Sequence, residues 1–106
     1  MNTSRLDHLL NFYQEDPQDP FNAYALALEY SKYSTTQAKS YFELLLKDFP
    51  EYLPTYYHAA QFFYDLEEIE TARDVYQKGI DLADKQRNSK TLEELKRALR
   101  ALEDDV

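Results

Sequence analysis

The sequence predicts an all-α fold, helices that recur in a repeated unit, on three observations. The chain holds one glycine in 106 residues, whereas hairpins and phosphate-cradling loops need several. Its apolar residues recur at helical spacing, three and four positions apart. It also repeats itself. Ala38 and Ala72, Phe42 and Tyr76, Leu45 and Gly79, and Pro50 and Asp84 each stand 34 residues apart. Upstream, Ala23 and Tyr56, Leu26 and Ala59, Ala27 and Ala60, and Tyr30 and Phe63 stand 33 apart. The single slip falls in the polar turn between Tyr30 and Ala38, where a deletion costs least.

Taken in order, the pattern predicts six helices at about 3–15, 20–33, 35–48, 52–65, 68–86 and 89–103. Thr3 or Ser4 suits the first as a cap, and Pro17 and Pro20 end it. Leu9, Phe12 and Pro17 precede Phe42, Leu45 and Pro50 by 33 residues, so residues 1–17 read as the second half of a truncated repeat. Residues 20–51 form the first full repeat, with Ala23, Leu26, Ala27 and Tyr30 on the packed face of its first helix. Residues 52–86 form the second. Pro54 fits there because a proline is tolerated in a first turn. In residues 87–106, Leu92, Leu95, Leu99 and Leu102 make an apolar stripe with Ala98 and Ala101 beside it. Asn88 and Ser89 are candidate caps. The rest of that helix is charged, which suits a capping helix closing the end of a stack within one domain.

The residues in phase resemble a known family. Ala23-x2-Leu26-Ala27-x2-Tyr30 followed by Ala38-x3-Phe42 and Pro50 is similar to a tetratricopeptide repeat, as is Tyr56-x2-Ala59-Ala60-x2-Phe63 followed by Ala72-x3-Tyr76. The resemblance implies an α-solenoid of antiparallel helix pairs in which the first helix of each pair lines a concave groove. Three places depart from the family pattern. The usual turn glycine is replaced by Glu67 in the second repeat and is missing from the first. The small residue of the second helix is Leu45 in one copy and Gly79 in the other. Asp84 stands where the closing proline is expected. The carboxylate clamp of some members needs Lys, Asn and Arg, and the matching places hold Tyr24, Leu28 and His58, so binding of a partner's C-terminal carboxylate is not expected.

About a quarter-turn from the packed faces lie Phe21, Tyr24, Leu28 and Lys32 on the second helix, and Tyr57, Gln61 and Tyr64 on the fourth. These are the expected partner-binding residues. Exposed aromatic anchors dominate interface energies, each often contributing about 2 kcal/mol or more when buried centrally. The expected function is a non-catalytic adaptor that takes a partner's peptide or helix, basic or apolar-aromatic, in that groove. The alternative is a homodimer formed through the same rings or the stack ends. In a third arrangement, the first helix or the cap folds over the rings and makes them core.

Other function classes find little support. A net charge of −8 and a pI near 4.6 repel nucleic acid and anionic membranes. Half the basic residues follow Asp84, yet residues 85–106 carry only +1 against −9 for residues 1–84. The absence of cysteine removes disulfides and thiolate metal sites. His8 and His58 are the only histidines and lack metal-site spacing. Asp65, Glu67, Glu68 and Glu70 lack the glycine and alternation of a calcium loop. No catalytic residue, cofactor or metal is expected. With no apolar leader or membrane-length run, the expected location is cytoplasmic.

Overall fold

The computed structural model describes residues 3–106, with side chains from Arg5 onward. The expected caps Thr3 and Ser4 therefore lie outside the described side chains. Six helices follow: α1 Thr3–Glu15, α2 Pro20–Tyr30, α3 Thr35–Asp48, α4 Pro54–Asp65, α5 Ile69–Lys85 and α6 Ser89–Asp105. No strand occurs among the described residues. The chain divides into two compact units, Met1–Tyr52 and Leu53–Val106.

Five helix ends differ from the expected ones: α5 falls one residue short at each end, and the other three have a local reason. α2 stops at Tyr30, not at 33, because Ser34 must turn extended to cap α3, where its hydroxyl accepts from the Gln37 N–H at 3.3 Å. The intervening turn is closed by Lys32 and Tyr33 N–H bonds to the Glu29 and Tyr30 carbonyls at 3.1 and 2.8 Å. α4 starts at Pro54, because a proline has no N–H to give to a preceding turn. α6 continues past 103 to Asp105, since no breaker follows Leu102.

In the first unit, Ala23, Leu26 and Ala27 of α2 are buried together with Ala38, Phe42 and Leu45 of α3. Small residues on α2 let the larger α3 side chains sit close, and a fully buried leucine contributes about 2 kcal/mol. α1 packs on α2 and its end is held from there: Asn22 Nδ2 donates to the Phe12 and Asp16 carbonyls at 3.2 and 3.0 Å. Both carbonyls also accept backbone N–H groups, from Asp16 and Asp19 at 3.0 and 3.3 Å, so Asn22 ties down a turn that is already closed. Asp19 caps α2 through the Phe21 N–H at 3.0 Å. Glu29 is buried on α2. It accepts from Arg5 Nε of α1 at 3.0 Å and from Lys32 Nζ at 3.2 Å.

In the second unit, α5 packs against both α4 and α6. Tyr56, Ala59, Ala60 and Phe63 of α4, Ala72, Val75, Tyr76 and Ala83 of α5, and Leu95 and Leu102 of α6 form the core. Gly79 marks the closest approach of α4 and α5: a Cβ there would lie 2.6 Å from Tyr56 Cβ. Asn88 caps α6 as expected, accepting from the Thr91 N–H at 3.0 Å.

α4 and α5 end alike. Glu67 and Arg87 take left-handed φ values of 63° and 58°. The Glu67 and Glu68 N–H groups reach back to the Tyr64 and Phe63 carbonyls, both at 2.9 Å. Those of Arg87 and Asn88 reach the Asp84 and Ala83 carbonyls at 3.1 and 2.9 Å. Both are Schellman motifs, which usually place glycine at the left-handed position.

Candidate functional site

The expected partner-binding residues fall on two helices in different units. On α2, Phe21 is 56% exposed, while Tyr24 is half-buried. The Tyr24 ring lies edge-on to Tyr52 at 5.7 Å and tilted against Phe21 at 6.4 Å. Burial pushes the Tyr24 phenol up, with Tyr52 adding to it. Leu28 is half-buried and Lys32, though exposed, is tied to Glu29.

The second unit is more concave. Tyr57, Gln61 and Tyr64 stand at positions i, i+4 and i+7 of α4 and form one stripe. Ala98, Ala101, Leu102 and Asp105 form a matching stripe on α6. Together with Tyr76 of α5 these residues line a cleft of about 390 Å³. A second cleft of about 500 Å³ shares Tyr57, Ala98 and Ala101 and adds His58, Glu94 and Arg97. The three expected residues of α4 are thus brought together around one depression. The expected covering of the rings by the terminal helix occurs in part: Tyr64 is half-buried, whereas Tyr57 stays 40% exposed.

Tyr76, Ala98, Ala101, Leu102 and Asp105 were not among the expected site residues. Two signals point to them. Tyr76 repeats the aromatic position of Phe42, and Ala98 with Ala101 is a small-residue step beside the leucine stripe, the kind that leaves room next to a neighbouring ring.

The polar groups of the cleft are sorted by depth. Tyr76 is buried with its ring edge-on to Tyr57 at 6.4 Å. Its phenol is pushed up to about 12, by burial first and then by Tyr57 and Asp65. It therefore stays neutral at physiological pH. At the rim, Tyr64 donates its hydroxyl hydrogen to Asp105, and Gln61 Nε2 donates to Asp65 Oδ1 at 3.1 Å. Burial pulls the His58 imidazole down, which favours its neutral form. The arrangement offers π faces, a carboxylate and an apolar floor. No cluster of His, Asp and Glu among the described residues suits a metal ion, and no described helix is long and apolar enough to cross a membrane.

No family model matches the chain, and no curated protein does. Solved structures do. The solution NMR structure of a tetratricopeptide repeat domain protein from Salinibacter ruber shares 38% identity, with a TM-score of 0.78, over 83% of this chain and 90% of that one. A crystal structure of a tetratricopeptide repeat domain protein from the same organism shares 37% identity, with a TM-score of 0.76, over 80% of this chain and 97% of that one. With helix starts 34 residues apart in α2 and α4 and again in α3 and α5, and a likeness of this extent, the chain belongs to the tetratricopeptide repeat family.

Proposed function

We propose that the chain is a non-catalytic protein-interaction module whose α4–α6 cleft receives a segment of a partner protein. The observation that supports this most is the pair of facing stripes. Tyr57, Gln61 and Tyr64 on one helix oppose Ala98, Ala101 and Asp105 on the other, and a depression runs between them. Burying the open faces of Tyr57 and Tyr64 supplies the aromatic anchoring that interfaces depend on. The alanine floor admits a backbone without a clash. Aromatic faces, an alanine floor and a single carboxylate are groups suited to binding, which supports the interaction reading. Phe21, Tyr24, Leu28 and Lys32 form a separate candidate contact surface on the first unit.

The test is affinity capture from native lysate with the intact chain, with Tyr57→Ala/Tyr64→Ala and with Tyr33→Ala, each checked for helicity by circular dichroism. Partners held by the wild type and by Tyr33→Ala are expected to be lost from the double variant. Equal capture by all three would overturn the assignment of the cleft.

A further inference from the structure

Resting on that reading, we propose that the cleft of Tyr57, Tyr64, Tyr76 and Asp105 is a receptacle for a cationic side chain, a lysine or arginine carried by the partner segment.

α6 carries Glu103, Asp104 and Asp105 in succession. Glu103 has a structural reason to be present, since it accepts from Arg73 Nε of α5 at 2.6 Å. Asp105 has none of that kind. Its partner is the Tyr64 hydroxyl, a neutral donor, and it has no cation among the described residues. Asp105 lines a cleft that three tyrosines also line. The electron-rich faces of aromatic rings attract a cation, most strongly where water is partly excluded. The other carboxylate at this end, Asp65, accepts from the neutral Gln61.

The cation that lines the depression from the same helix, Arg97, stands two turns away in the adjoining cleft, beside Glu94. At about 1.5 Å of rise per residue, it lies roughly 12 Å along α6 from Asp105. It therefore leaves the Asp105 end unneutralised. A long flexible stem with a charged tip matches what remains. Methylenes lie over Ala98, Ala101 and Leu102, the tip reaches Asp105, and Tyr57 and Tyr64 flank it. An anionic or neutral tip would leave the charge of Asp105 uncompensated.

The experiment selects binders of the intact chain from a displayed library of random dodecapeptides and follows the enriched sequences by fluorescence polarisation. Enrichment of lysine or arginine at one fixed position is expected. Replacing that residue by methionine in the peptide should weaken binding about tenfold. Asp105→Asn should weaken the cationic peptide to the same degree while leaving the methionine peptide unchanged. Asp105→Lys should shift the enrichment to aspartate or glutamate. A direct arm titrates n-butylammonium against n-butanol and reads the amide shifts of Tyr57, Tyr64 and Asp105, which should respond to the ammonium alone. Peptides that lose binding with Tyr57→Ala but show no charge preference would keep the cleft and overturn the cation receptacle. A library that yields no binder would overturn both.

Discussion

Replacing Glu67 by glycine should stabilise the protein, because Glu67 occupies a backbone conformation that its own Cβ opposes. Its φ is 63°, and a side chain in the left-handed region costs about 1–2 kcal/mol. The conformation persists because the Schellman bonds from the Glu67 and Glu68 N–H groups satisfy the last carbonyls of α4. Glycine removes the strain but gains freedom in the unfolded chain, which returns about 0.4–1 kcal/mol. The net expectation is a gain of about 0.5–1 kcal/mol. In a domain of this size that raises the thermal midpoint by roughly 3–6 °C. Far-UV circular dichroism melts and urea titrations of the wild type, Glu67→Gly and Glu67→Ala read the effect. Alanine removes the carboxylate beside Glu68 and Asp65 but keeps the Cβ. If Glu67→Ala gains as much as Glu67→Gly, relief of charge crowding and not of backbone strain is the cause, and the reasoning fails. Arg87, with φ of 58° at the end of α5, should respond in the same way, and the two glycine substitutions should add.

Three further substitutions probe the packing and the charge network. Gly79→Ala gains about 1 kcal/mol of helix propensity, but its Cβ would meet Tyr56 Cβ at 2.6 Å and Leu95 Cδ1 at 3.1 Å. Overpacking costs about 1–3 kcal/mol, so a net loss is expected in urea titration, and a stabilised variant would contradict the close approach of α4 and α5. Thr55 is fully buried and its hydroxyl has no hydrogen-bond partner among the described residues; Thr55→Val should gain about 1 kcal/mol, and a loss would show that the hydroxyl is satisfied. Glu29 is pushed up by burial but pulled further down by hydrogen bonds from Lys32 and Arg5, so its carboxyl lies below the ordinary value of 4.5. A lowered folded-state value means that the stabilisation is complete above that ordinary value and is lost as pH falls through the lower one. Glu29→Gln should therefore be less stable than the wild type at neutral pH, with the gap closing only in stronger acid; a gap that does not change with pH would refute the ion-pair account.

Neighbours on α4 show how far a sequence carries this fold and where it stops. Tyr56 is buried and Tyr57 is 40% exposed, and the 33-residue step from Ala23 to Tyr56 separates them, because one position turns a helix by about 100°. The same reasoning placed Ala59, Ala60, Phe63 and Ala72 in the core, where they lie. Periodicity says which stripe packs within a pair; it is silent on what will stand opposite the other stripe. Tyr64 and Asp105 meet across 41 positions, and the contact depends on the crossing of α6 over α5, which no local spacing encodes. The missing turn glycine marks a different limit. In sequence Glu67 is a departure from the family pattern, whereas in the structure it takes the glycine's conformation, because the hydrogen bonds it completes outweigh the strain of its Cβ. Where a backbone geometry is demanded by bonds on both sides of it, the residue type records the size of the cost and not the choice of conformation. That is why Glu67 and Arg87, two residues with little in common, end two helices in the same way.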